Sequence, residues 1–169
     1  MSVGAFLIEK GCPIRQDAGR RIRRNQMSDQ KTNVLRRWFE EVWNEGREGA
    51  INELAAPDMV AHGLFDAQGK EISGREKFKA FWRQFRTTFP DVRVDVNEAL
   101  ADGDKMIVRC TVYATHSGEG MGSPTRKPIS FTGMVIGRIE NGQLKEAWDS
   151  WDFLSLYQQI GALPALFAQ

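Results

Sequence analysis

Cysteine, histidine and tyrosine are scarce in this chain, with two of each among 169 residues. Cys12 and Cys110 stand far apart in unlike contexts and form no Cys-x-x-Cys pair, so neither a zinc site nor a redox pair is indicated. His62 and His116 lack matched ligand spacing and do not make a metal site. No apolar run approaches the roughly 20 residues that cross a bilayer. The short apolar stretch 3–8 meets Glu9 too soon to serve as a secretory signal. Neither a Gly-x-Ser-x-Gly elbow nor a His-Glu-x-x-His helix occurs. Net charge is also nearly absent, at +1, which argues against an obligatory nucleic-acid role or a membrane partner. Two free thiols fit a reducing, cytoplasmic setting.

What is present is an ordinary globular composition, 41% hydrophobic and 27% charged, of a length that one well-filled core can organise. The charge is uneven. Residues 1–26 hold six basic against two acidic residues, while the remainder holds 17 against 20. No sustained periodicity runs through this leader, and Gly11-Cys12-Pro13 interrupts it. The chain therefore divides into a basic leader, 1–26, mobile or outside the domain, and a single domain, 27–169. Met27 is a candidate second start; the alternative is a basic arm for an acidic partner.

From Val34 the apolar residues Val34, Leu35, Trp38, Phe39, Val42 and Trp43 recur on one helical face, with a stop at Asn44-Glu45-Gly46. A second helix is expected over 49–55, then a short strand over 59–62. Gly74 precedes a third helix with the stripe Phe78, Phe81, Trp82, Phe85 and Phe89, halted by Pro90. Helical spacing alone explains that stripe as core. The period then falls to two: Val92, Val94 and Val96 alternate with Arg93, Asp95 and Asn97. Asp102-Gly103 and Asn141-Gly142 have the chemistry of tight hairpins between strands at 105–117, 129–140 and 143–152. A closing helix is expected over 153–160, with Gly161 at its end. Helices first and a meandering sheet afterwards define an α+β domain.

The chemistry concentrates near the C-terminus, in Trp148-Asp149-Ser150-Trp151-Asp152-Phe153. Apolar surroundings raise a carboxyl pKa and make a useful base near neutral pH. Strand alternation places Trp148, Ser150 and Asp152 on one face and Ala147, Asp149 and Trp151 on the other, so the aspartates are no paired dyad. Asp152, at the strand end, is the candidate base, leaving Asp149 for the surface, a dimer interface or a helix cap. His116 ends a long strand and opens a glycine-rich loop, from which side chains often reach a cavity mouth. Arg109, Thr111 and Tyr113 share a face. Tyr113 or Arg109 could stabilise an oxyanion if that face is inward, and the alternative is a polar outer face. Gly118-Glu119-Gly120-Met121-Gly122 opens no helix, so it is no nucleotide fingerprint and is expected to be a flexible loop, a candidate lid.

Four stretches together resemble the SnoaL-like polyketide cyclases of the nuclear transport factor 2-like superfamily. They are Trp38-Phe39-Glu40-Glu41-Val42-Trp43-Asn44-Glu45-Gly46; 85–91 with its Phe89-Pro90-Asp91 ending; Thr115-His116-Ser117-Gly118-Glu119 with 124–128; and 148–161, with its Trp-x-x-x-Asp spacing and Gln-Gln-Ile-Gly ending. The resemblance spans about 30–163 and departs at Ser155, where glycine is usual. It implies a cone-shaped α+β barrel, with N-terminal helices packed on a curved, mainly antiparallel sheet enclosing a pocket. It further implies a homodimer or higher homo-oligomer, no metal and no cofactor. In such cyclases an aspartate at the end of the last strand removes a proton between carbonyls, and the enolate closes a ring by aldol condensation. Asp152 matches that aspartate, with His116 as its catalytic partner. His62, Trp148, Tyr113, Trp82 and Trp38 are then expected around a small apolar or carbonyl-containing ligand. Two other activities belong to the same scaffold: ligand binding without chemistry, and epoxide hydrolysis, for which Arg109 is the obvious cation.

Overall fold

The computed structural model describes residues 33–163. The leader, the candidate start at Met27 and Cys12 lie outside the described residues. Six strands form one mixed, mostly antiparallel sheet in the order β2-β1-β6-β5-β4-β3. These are β1 (Ala55–Phe65), β2 (Glu71–Ser73), β3 (Arg93–Asp102), β4 (Lys105–Thr115), β5 (Pro128–Glu140) and β6 (Gln143–Trp151). A π-helix (Trp38–Asn44), α1 (Glu48–Leu54) and α2 (Arg75–Thr88) pack against the sheet, and α3 (Phe153–Gln159) follows β6. The fold class expected from the sequence is the one observed.

Alternation decides which face of the sheet is inside. Along β4 the even positions Met106, Val108, Cys110, Val112 and Ala114 are buried, and along β5 the odd positions Ile129, Phe131, Val135 and Ile139 are. Their register pairs, Val108 with Val135 and Val112 with Phe131, carry one apolar layer across the sheet. The buried Cys110 belongs to that layer, and burial pushes its thiol up to about 12. Helix α2 closes over the layer with Phe78, Trp82 and Phe85, and Phe89 is fully buried just beyond its end.

Apart from the three-residue strand β2, which the sequence expectation lacks, two features differ from it. The first helix is π-helical after Arg37: the Glu45 N–H bonds to the Glu40 carbonyl, five residues back (2.8 Å). Tertiary anchors hold this wide turn. Asn44 bonds both backbone groups of Val94 through its side chain (2.7 and 3.2 Å), and Arg86 donates to the Trp43 carbonyl (2.5 Å). The strand expected over 59–62 instead runs from Ala55 to Phe65 and lies parallel to β6. At Gly63 (φ 83°) an added Cβ would overlap the Asp149 carbonyl, so the close approach of β1 to β6 needs glycine there.

Candidate functional site

Helices and sheet enclose an apolar cavity with a free interior volume of about 50 Å³, room for a few water molecules. One wall is aromatic and helical: Trp38, Phe39 and Trp43 from the π-helix, and Phe78, Phe81 and Phe85 from α2. Their rings touch edge to face and obliquely, as in Trp43–Phe85 at 5.7 Å and Trp38–Phe78 at 5.0 Å. The facing wall is the sheet, with Val112, Phe131, Val135, Ala147 and Trp151, and Phe153 adds the start of α3. Among the described residues that line the cavity, Asp149 is the one ionisable side chain.

Asp149 arrives there by register. It pairs with Val135, an inward residue of β5, whereas Trp148 pairs with outward Ile136. Asp149 Oδ1 accepts a hydrogen bond from Trp151 Nε1 (3.0 Å). Burial among apolar walls pushes its carboxyl up to about 6, while the Trp151 N–H and the positive His62 on the neighbouring strand pull it down. The site therefore holds a carboxyl that titrates close to neutrality inside an apolar cavity, which is the requirement for a general base.

This corrects the assignment of the two aspartates. Asp152 is exposed; it caps α3, accepting from the Ser155 N–H (2.9 Å), and does not face the cavity. The Asp-x-x-Ser run at a strand-to-helix junction carried a capping signal, because a short polar side chain at such a junction satisfies an unpaired helix N–H. Nothing in the alternation alone chose between the faces, since each carried a tryptophan.

The other expected site residues scatter. Trp38 lines the cavity. Trp82 is buried but turns to the π-helix, donating from Nε1 to the Val42 carbonyl (3.1 Å), and it is not in the cavity lining. Tyr113 is exposed on the outer face under the Arg93 guanidinium (5.6 Å), and Arg109 is exposed beside Glu98 (3.1 Å), so neither is an oxyanion donor for this cavity. Trp148 and His62 also lie on the outer face, stacked at 5.5 Å. There His62 bridges Glu71 (3.0 Å) and Glu146 (2.9 Å), whose carboxylates raise its pKa, and Arg138 completes the cluster through Glu146 (3.0 Å).

His116 is 1% exposed and does not line the cavity. Its Nδ1 accepts from Thr125 Oγ1 (3.1 Å), and its ring packs at 5.7 Å from Phe89. The loop it opens is no lid over this cavity. Gly118 N–H bonds the Thr88 carbonyl (3.0 Å), and Thr88 Oγ1 donates to the Glu119 carbonyl (3.0 Å), which fastens the loop to the end of α2. Residues sequence reasoning left out are Trp151, Trp43 and Phe153. Among the described residues, no group of three His, Cys, Asp or Glu side chains could hold a metal ion, and no helix is long and apolar enough to cross a membrane.

Helices packed on a mixed, mostly antiparallel six-stranded sheet place the chain in the nuclear transport factor 2-like class of α+β folds. Within that class, the model of the SnoaL-like polyketide cyclase family matches residues 33–160, and the chain belongs to that family. Solved structures agree. IdmH, a candidate polyketide cyclase from Streptomyces antibioticus, is 30% identical with a TM-score of 0.70, over 78% of this chain and 99% of that one. AclR, a candidate hydroxylase from Streptomyces galilaeus, is 26% identical (TM-score 0.70, 83% and 86% covered). A candidate SnoaL-like polyketide cyclase from Jannaschia sp. CCS1 is 22% identical and shares the fold (TM-score 0.71, 81% and 95% covered). No protein of curated function matches the chain.

Proposed function

We propose that the protein is a cyclase or isomerase-type enzyme in which Asp149 removes a proton alpha to a carbonyl of a small apolar or polyketide-like substrate. The observation that carries this is the inward carboxyl, titrating near pH 6 among aromatic walls. A carboxylate of that strength removes a proton most readily from a carbon between two carbonyls, so beta-dicarbonyl compounds are the substrate class we propose. The C–H bond breaks, Asp149 takes the proton, and the electron pair delocalises as an enolate. Attack of that enolate on a second carbonyl of the same molecule forms the new C–C bond of an aldol product, and Asp149 then returns its proton. The site's own residues supply these steps.

A ligand larger than the free volume enters only as rings at the cavity edge turn. Trp43, Phe81 and Phe153, which are only partly buried, are those with freedom to do so. The epoxide hydrolase alternative loses its cation, because Arg109 lies outside the cavity beside Glu98.

The test is solvent deuterium exchange into beta-dicarbonyl compounds, wild type against Asp149→Asn and Asp152→Asn. Exchange is expected to fall about 100-fold or more in Asp149→Asn and to persist in Asp152→Asn. Equal exchange by wild type and Asp149→Asn supports ligand binding without chemistry and overturns the proposal.

A further inference from the structure

Trp151 carries a geometry that the proton transfer alone does not explain. It sits directly across β5 and β6 from Gly133, and its six-membered ring lies over that glycine so closely that an added Cβ would overlap the ring. Phe131 closes against the indole edge to face (6.2 Å, 74°). The indole is thus held in one place, and from there its Nε1–H reaches Asp149 Oδ1 at 3.0 Å. That is the one hydrogen bond to the Asp149 carboxylate among the described residues.

We infer that Trp151, seated on Gly133, is the positioning residue of this site: it occupies Asp149 Oδ1 and leaves Oδ2 as the atom that exchanges the proton with the substrate. The reason is chemical. An indole N–H donates and cannot accept, so a proton arriving on Oδ1 would draw charge from the oxygen that accepts this bond and would weaken it. A proton on Oδ2 leaves that bond on its own oxygen. When the substrate C–H breaks, the new O–H forms at Oδ2, the pair stays with the enolate, and the same oxygen gives the proton back. One oxygen is anchored and the other works, so carboxylate rotation need not be repeated at each turnover. Gly133 is the second half of the device, since any side chain there would push the indole off its seat.

This role rests on the proton-transfer proposal above, and the experiment separates the two. The Asp149 carboxyl carbon is titrated by NMR in the substrate-free protein, alongside the pH profile of beta-dicarbonyl exchange. The variants are Trp151→Phe, Gly133→Ala, Trp151→Ala and the double variant Trp151→Ala/Gly133→Ala. In Trp151→Phe the carboxyl is expected to titrate at higher pH, because the bond favouring its charged form is gone. The acid limb of kcat/KM should follow it upward, and the plateau kcat should fall about tenfold. Gly133→Ala should shift both in the same direction. In the Trp151→Ala background it should change neither, because there is no ring left to displace. The NMR spectrum also reports whether each variant is folded, and Trp151→Phe keeps an aromatic ring against Phe131.

A Trp151→Phe titration and profile superimposed on wild type overturn the positioning role alone. Full exchange activity in Asp149→Asn overturns the proton-transfer proposal itself, and Oδ2 with it. A shifted titration with Gly133→Ala silent overturns the part assigned to the glycine.

Discussion

Among the described residues, an ionised Asp149 has no cation lining its cavity and accepts one hydrogen bond, from an uncharged indole, so the folded state holds its proton more tightly than the unfolded chain does. With the carboxyl raised from 3.8 to about 6, the native protein binds more protons than the unfolded one between those values. Stability therefore falls as pH rises through that window and is level above it. Asp149→Asn removes the penalty and is expected to be up to about 3 kcal/mol more stable than wild type at pH 7.5, with the gap closing towards pH 4. Urea denaturation at several pH values measures this, and a gap independent of pH would show that the carboxyl is not desolvated. His62 has the same sign of pH dependence, at higher pH. Its raised pKa stabilises the fold below its ordinary titration, and that contribution is lost as pH rises through the folded value. At this scale the sequence was legible only in part. It showed that the two aspartates face opposite sides, but the choice between sides depended on β5, where inward Val135 sits opposite Asp149. Trp148 drew the assignment to the wrong face because a tryptophan on an outer sheet face looks, in sequence, like one in a core.

The π-helix decides how much aromatic surface the cavity receives, and Asn44 decides whether the π-helix keeps its wide turn. Its side chain donates to and accepts from the Val94 backbone, tying the helix end to β3. Asn44→Ala leaves both Val94 groups without those partners at a half-buried position. The expected cost is about 2 kcal/mol, or a melting temperature lower by about 6 °C. Trp43 should also loosen, which tryptophan fluorescence reports as a red shift. An unchanged melting temperature would mean that water replaces the side chain without loss. Most elements were legible because their apolar periods are plain: 3.6 in α2, two in β4 and β5, with Asn141-Gly142 turning the last hairpin. Two were not. The π-turn depends on Val94 and Arg86, distant in sequence, so local spacing reads as an ordinary helix. Most of β1 was missed because Pro57, Asp58 and Gly63 break its pattern; what holds it is parallel pairing with β6 more than eighty residues away.

Across the whole sheet the outer face carries one continuous cross-strand row: Leu100, Ile107, Ile136, Trp148 and His62, each opposite the next in register. Leu100 is 69% exposed and Ile107 44%, and Met134, 52% exposed, widens the row on β5. Four strands, β3 to β6, contributing to one apolar band that the His62 cluster borders is more than scattered surface hydrophobics produce, and such bands mark association. The fringe is charged and already paired, with Arg109 on Glu98 and Arg138 on Glu146, which leaves the apolar centre as the part that gains from cover. A second copy of the chain placed about a two-fold axis through Ile136 would set each row against its own image, an isologous interface. The homodimer expected for the family is therefore proposed to form through this face. Ile136→Glu puts a charge at the centre of the band and opposite its own image, so the variant is expected to be monomeric by analytical ultracentrifugation. The wild type should sediment as a dimer. Because Val135 and Asp149 face the other side of the same strands, the monomer should keep the near-neutral titration of Asp149. A wild-type monomer, or an Ile136→Glu variant that remains dimeric, would move the interface elsewhere.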